Sequence, residues 1–396
     1  MALSDDRMSQ WLDRRSRRLA EIGWIRQEVT PGGAIVRYVA DELLVRDDHA
    51  AMARTVITGQ GHRAVDVHED DAGAPTGYRR YRVRDLDVPR AARTVRQRAH
   101  AAGDSTAAAS PNHVFASTPF EQAGPFGPPV PAAHPGLELV APAAKGLPGV
   151  AVVDTGVWRD SPLTDELYEA TNEDYESDVD VDNDGILDGD VGHANFIAGV
   201  ILRETRKARV RIVRVLDTFG VCTEAQLIAA LTQTARYRII NLSLGCFTLD
   251  DVPPLALQDA IGGLLATGDR VVVAAAGNDG QRGRPFWPAA FAASDQPWHD
   301  RVLAVAAHDG TDVCHWSNAG DWVTLAAPGA DVTSTFVRHE SFDTGWAQWS
   351  GTSFATPYVV AAVAEQLAGT QTAGQAVAKV VATAQAHSYG GYPGLP

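Results

Sequence analysis

The 396-residue chain is short of several things, and each shortage removes a class of protein. It has no run of eighteen apolar residues, so it offers no segment that would cross a bilayer as a helix. Its opening, MALSDDRMSQWLDRRSRRLAEIG, is charged throughout and lacks the apolar stretch of a secretory leader. As written the chain reads as cytoplasmic, and a trimmed chain, or one exported by another route, would read the same way. Cysteine is scarce: Cys222, Cys246 and Cys314 show no metal-binding spacing and allow one disulfide with one free thiol. Positive charge is short too, with 34 Lys plus Arg against 49 Asp plus Glu, a net charge of -15. The deficit is uneven, about +2 over residues 1–116 and about -17 beyond. This balance argues against nucleic acid as the main partner and permits attraction between the two parts of the chain.

What is present is enough apolar residue, 45%, for one large core and a smaller one. Composition divides the chain near residue 116. Before that point AIVRYVADELLVR, HRAVDVHE, YRRYRVR and NHVF read as strands, and DHAAMARTVITGQ and VPRAARTVRQRAHA as helices. The order βαββαβ is a small α+β, ferredoxin-like plan over residues 30–116, preceded by an extension (1–29) whose residues 8–23 read as a surface helix. Pro, Gly and Ala dominate residues 117–147, the composition of an extended linker. Over 148–385 apolar strands such as GVAVVD, VRIVRVL, RIINLSL, RVVVAAAG and VLAVAA alternate with helical stretches. That alternation predicts an α/β fold, a doubly wound and mostly parallel sheet with helices on both faces. Residues 386–396 read as a tail.

In such sheets chemistry gathers at the carboxyl ends of the strands. There the sequence places Asp154 after GVAVV, Ser243, Leu244 and Gly245 after RIINL, and Asn278 after RVVVAAAG. Ser353 stands between a Gly-Thr turn and an apolar helical run, where backbone N–H groups at a helix start can face a developing anion. A serine nucleophile needs a base, and His193 with the carboxylate of Asp154 supplies one. Taken singly, each has an ordinary reading as a cap, a turn or a packing residue. Taken together they do not.

VVDTGV, GHANFIAGVI, AAAGN and SGTSFATP resemble, in order, the Asp, His, oxyanion-Asn and Ser motifs of the subtilisin-like serine proteases, the subtilases. NLSLG, FWPAAF and HWSNAGDWVTLAAPG are similar to further segments of that family, and the resemblance runs over about residues 147–385. It implies a serine endopeptidase with Ser353 as nucleophile, His193 as general acid and base, Asp154 as its orienting carboxylate and Asn278 as oxyanion donor. It implies a peptide or protein substrate lying as an extended strand between Ser243-Leu244-Gly245 and the segment Gly220–Cys222. It also gives the front domain a meaning, since ASPNHVF resembles the closing strand of the family's prodomain, which acts as an intramolecular inhibitor. No cofactor is required by this chemistry.

The stretch 165–190 carries twelve acids and no Lys or Arg, ending three positions before His193. Asp180, Asp182, Asp184 and Asp188, with Gly185, resemble the start of a calcium loop, although the twelfth position is Val191. Calcium, a solvated acidic rim and selection of basic substrate residues all remain open readings, and unneutralised charge there would raise the imidazole pKa. The sequence departs from the family pattern in His193-Ala194-Asn195, where His-Gly-Thr is usual, and in Phe354 and Tyr358 after the serine. Phe286 falls where a small residue is usual near the base of the primary specificity pocket, which predicts a shallow pocket for small side chains. Cys222 and Cys246 follow segments that flank the substrate in the family, an arrangement that suggests a disulfide between them, the alternative being two small buried hydrophobes. The departures at the histidine also keep open an inactive or weakly active peptide-binding scaffold. A third reading is an acyl transferase or ligase working through the same acyl-enzyme.

Overall fold

The computed structural model describes residues 22–63, 67–70, 74–104, 108–117, 128–136, 139, 146–181, 187–339, 342–369 and 371–396. The surface helix expected over residues 8–23 falls almost wholly outside them. None of the described helices is long and apolar enough to cross a membrane.

The front of the chain forms β1 (Ile25–Val29), β2 (Ile35–Arg46), α1 (Ala50–Gly59), β3 (His68–Asp70), β4 (Tyr78–Arg82), α2 (Val88–Ala101) and β5 (Ala109–Ala116). The strands pair antiparallel in the order β5-β2-β4-β3, with β1 against the first half of β2. Helix α2 starts where it does because Asp87 accepts the N–H of Arg90 and Pro89 occupies the first turn, a position that needs no donor. Leu43, Ile57, Tyr81, Ala91 and Val95 fill the space between sheet and helices.

The larger part follows β6 (Val130–Pro131), which pairs with a later strand. It comprises β7 (Gly149–Asp154), β8 (Tyr168–Glu169), α3 (His193–Glu204), β9 (Arg209–Arg214), β10 (Val221–Thr223), α4 (Glu224–Thr232), β11 (Ile239–Leu242), α5 (Leu255–Ala266) and β12 (Val271–Ala275). Then come β13 (Val302–His308), β14 (Leu325–Pro328), β15 (Val332–Thr335), β16 (Trp346–Trp349), α6 (Thr352–Leu367), α7 (Ala373–Ala384) and the hairpin β17 (Ser388–Tyr389) and β18 (Tyr392–Pro393). Seven strands form one sheet in the order β14-β13-β12-β11-β7-β9-β8, and every described pair in it is parallel.

Side-chain alternation divides this sheet between two cores. Val150, Val152, Val271 and Val273 face α3, α6 and α7, whereas Val153, Val272 and Ala274 face α4 and α5. Burial of each valine contributes about 1.5–3 kcal/mol. The second core is continuous with that of the front domain, so the two parts of the chain share apolar surface. Chain order reverses around β7, which opens a crevice at the carboxyl ends of β7 and β11. Residues 386–396 are not a tail: the β17–β18 hairpin is followed by Leu395, whose N–H donates to Ala326 of β14 at 2.9 Å. Within the stretch read as a linker, Val130 and Pro131 pair with β16.

Candidate active site

Asp154 ends β7, fully buried, and its Oδ1 accepts the N–H of Thr155 at 2.8 Å. The same oxygen lies 2.6 Å from Nδ1 of His193, also fully buried. His193 is the first residue of α3, placed by a left-handed Gly192 whose Cβ, were there one, would fall 2.5 Å from the ring of Phe336. The edge of Trp349 (ring centroids 5.6 Å apart) and the ring of Phe354 (5.3 Å) hold the imidazole from its other sides. The Asp154 carboxylate thus fixes the proton on Nδ1 and leaves Nε2 as the basic nitrogen.

The unusual Ala194-Asn195 pair has a structural account. Asn195 is fully buried, and its side-chain amide accepts from the N–H and donates to the carbonyl of Trp158, both at 2.9 Å. A threonine there is too short to make both bonds. Ala194 accommodates the turn, its N–H donating to Thr155 Oγ1 at 3.1 Å. Tyr358 lies on α6 and accepts from Arg203 at 2.5 Å.

Ser353 is the second residue of α6, where helical N–H groups lack intrahelical partners. Pro357, four residues on, has no N–H for the carbonyl of Ser353, and the hydroxyl of Ser243 supplies the missing bond at 2.9 Å. Asn278 follows β12, and its Oδ1 accepts both the N–H and the hydroxyl of Thr352, each at 2.8 Å. Two donors converging on one atom identify it as the oxygen, and Asn278 lines the same cavity as Ser353. Asn318, in the WSNAG stretch, secures the turn after Asn278 by accepting the N–H groups of Asp279 and Gln281 at 3.1 and 2.9 Å.

The cleft beside these residues holds a strand of the chain itself. β5 pairs with β10 on one side, Phe115 opposite Cys222 and Ala116 opposite Val221. On the other side Ala116 exchanges backbone bonds with Gly245 at 3.0 and 2.9 Å, and the N–H of Ser117 reaches Gly220 O at 3.1 Å. The segments 220–222 and 243–245 therefore flank one extended strand, as the resemblance implies for a substrate. Ser353 Oγ lies 3.2 Å from the carbonyl oxygens of both Ser117 and Ser243. The Ser117 hydroxyl donates to Asp190, a fully buried acid at the mouth of the histidine helix. Gly220 is required here, since a Cβ would meet Asp190 at 1.9 Å and its φ of 74° disfavours a side chain.

The disulfide expected between Cys222 and Cys246 is absent: both are free and buried, their thiols pushed well above the ordinary value by burial. β5 runs between them, with Phe115 opposite Cys222 and Ala116 opposite Gly245. Two strand spacings separate the cysteines by about 9–10 Å, beyond the reach of a disulfide.

Phe286 packs its ring over Gly245 and Gly277, where added Cβ atoms would lie 2.2 and 2.8 Å from its Cε1. A cavity of about 40 Å³ remains beside it, bounded by Ser117, Gly245, Gly277, Asn278 and Ser353. Of the calcium candidates, Asp182 and Asp184 lie outside the described residues. Asp188 accepts the N–H of Val181 at 2.6 Å, and the twelfth position, Val191, is apolar. Elsewhere the acidic run is engaged with the fold. Glu176 takes the N–H of Gly156 and the Arg214 guanidinium, each at 2.8 Å, and Asp174 pairs with Arg211 at 2.6 Å. Burial pushes Glu176 upward, whereas bonds from Thr171, Arg214 and Arg211 outweigh burial at Asp174 and lower it.

Comparison with known proteins gives this geometry its kinship, residues 148–393 matching the subtilase family of peptidases S8. The chain belongs to the subtilase family. It is 32% identical over 275 residues to a thermophilic serine proteinase of Bacillus sp. (strain AK1), covering 63% of this chain and 60% of that protein. It is 33% identical over 224 residues to thermitase of Thermoactinomyces vulgaris, covering 53% of this chain and 71% of the relative. A cold-adapted subtilisin-like serine proteinase of known structure is similar at 24% identity and a TM-score of 0.45, over 60% of this subtilase and 81% of that chain. This subtilase thus spans about three fifths of the length of the first of these relatives.

Sequence reasoning singled out Asp154, His193, Asn278 and Ser353, and the structure brings them to one crevice. It passed over Asp190, one acid among twelve, because no local feature distinguishes the carboxylate that turns into the cleft.

Proposed function

We propose that this subtilase is a serine endopeptidase acting through Asp154, His193 and Ser353, with its own front domain as an inhibitor in the cleft. The observation that carries the reading is the seating of β5: bonded on both edges, it ends with the Ser117 carbonyl 3.2 Å from Ser353 Oγ. A substrate peptide would take the same path along Gly220, Ser243, Leu244 and Gly245, gaining main-chain bonds.

In the reaction Ser353 Oγ adds to the scissile carbonyl carbon while His193 Nε2 takes its proton, and Asp154 stabilises the imidazolium. The negative charge on the carbonyl oxygen meets the Asn278 amide and the N–H of Ser353 at the start of α6. Collapse breaks the C–N bond, the departing amine taking the proton from His193. Water then repeats the sequence on the acyl-enzyme and restores the serine. With β5 in place the Ser353 hydroxyl is directed at carbonyl oxygens, an arrangement that favours the inhibited state. The cavity at Phe286 favours small side chains at the cleaved position. Calcium at Asp180, Asp182, Asp184 and Asp188 plays no part in these steps.

The test is labelling by a fluorophosphonate together with hydrolysis of unstructured peptides. Wild type that has cleaved itself within residues 117–147 is expected to be labelled at Ser353 and to hydrolyse, and Ser353→Ala to do neither. A self-cleaved wild-type chain that takes no label and cleaves no peptide contradicts the reading.

A further inference from the structure

Helix α4 opens on a carboxylate with no solvent exposure. Glu224 Oε1 accepts the N–H of Leu257 at 3.1 Å, and Oε2 faces Nδ1 of His113 at 3.3 Å. The far edge of that imidazole is used as well, Nε2 accepting the N–H of Leu249 at 3.3 Å. A backbone N–H can only donate, so Nε2 carries no proton and Nδ1–H points at Glu224. His113 is 1% exposed and stands on β5, four residues before Ser117. The two groups bonded to the ring, Glu224 and the N–H of Leu249, belong to the catalytic domain, whereas His113 itself pairs with Tyr38 of β2 in the front domain.

We propose that Glu224 and the N–H of Leu249 form a subsite for a histidine side chain of the substrate, at the position His113 fills, four residues before the one in the place of Ser117. The inference rests on the reading that β5 marks the substrate path. The two fixed groups present an acceptor on one side and a donor on the other, which a neutral imidazole satisfies with its two nitrogens. Lysine or arginine satisfies the carboxylate but sets a second donor against Leu249. An apolar side chain leaves a buried carboxylate oxygen without a partner, which is the costlier mismatch. Asn112 of the same strand shows how closely the segment is fitted there, its Oδ1 accepting the N–H of Ala225 at 3.3 Å.

The experiment uses the full chain after it has cleaved itself within residues 117–147, so that β5 can exchange with added peptide, and quenched peptides built on His113-Val114-Phe115-Ala116-Ser117, differing only in the first residue. Histidine is expected to exceed alanine in kcat/KM by about tenfold, with lysine between them. Glu224→Gln, which keeps the side chain's size, is expected to bring the histidine-to-alanine ratio close to one. The ratio is read within one preparation, so loss of folded protein cannot imitate it. Equal rates for histidine and alanine in the wild type, or an unchanged ratio in the variant, overturn the subsite while leaving the proposed peptidase intact. A self-cleaved wild-type chain that cleaves none of the peptides overturns both.

Discussion

Individual side chains in the cleft have separable duties, and substitution should separate them. In the proposed mechanism Asn278 offers its amide only to charge that develops during the reaction. Asn278→Ala should therefore lower kcat by about 10²–10³ with KM little changed, the size of effect known for loss of the matching donor in subtilisin. Steady-state kinetics on one peptide checks it. Phe286 is different, since its ring fills volume. Phe286→Ala should deepen the cavity and move the preference at the cleaved position from alanine toward leucine or phenylalanine, by about tenfold or more in relative kcat/KM. Profiling a peptide set varied at that one position reads the shift. The residues proposed to carry the chemistry stood out in the sequence because polar types stand there at the ends of apolar strands, where packing alone would not call for them. Asp190 was not, since its role depends on the fold turning one carboxylate of many toward Ser117.

At the level of elements, the start of α6 depends on a neighbouring strand. Pro357 deprives Ser353 of its helical bond, and Ser243, just beyond β11, replaces it. Ser243→Ala should cost about 1–2 kcal/mol, because it leaves a buried carbonyl unsatisfied. Pro357→Ala should reduce that cost by restoring an intrahelical N–H, and urea unfolding of the two single variants and the double variant measures the coupling. The alternation of strands and helices was readable from periodicity, since each face of the large sheet meets its own layer of helices. The disulfide reading failed for a reason invisible to spacing: Cys222 and Cys246 flank a cleft, and a third strand occupies it. The C-terminal hairpin was missed because residues 386–396 are too short and too rich in glycine to show a period.

Across the whole molecule, charge and apolar surface hold the front domain in place. Asp250 receives Arg93 and Arg96 at 2.8 and 2.5 Å, and Asp259 receives Arg46 at 2.7 Å, which gives the uneven charge of the sequence a local meaning. Burial alone would raise the Asp250 carboxyl, but the two guanidinium groups hold it below its ordinary value. A carboxylate lowered in the docked state stabilises docking above its ordinary pKa near about 4, and that contribution is lost as pH falls through the lowered value. Amide exchange at Ala116 and Ser117, corrected for the intrinsic rate, should therefore rise as pH drops from about 5 toward about 3. Asp250→Asn should raise it already at neutral pH and flatten the dependence. The central claim is that the triad and the strand lying across it belong to one self-inhibited peptidase. Its most direct test is the intact mass of purified wild type followed over time beside Ser353→Ala. The account predicts that the wild type cleaves itself within residues 117–147 while the variant stays whole. Cleavage at the same place and rate in both chains, or two whole chains whose Ser353 takes no fluorophosphonate in the wild type, would contradict it.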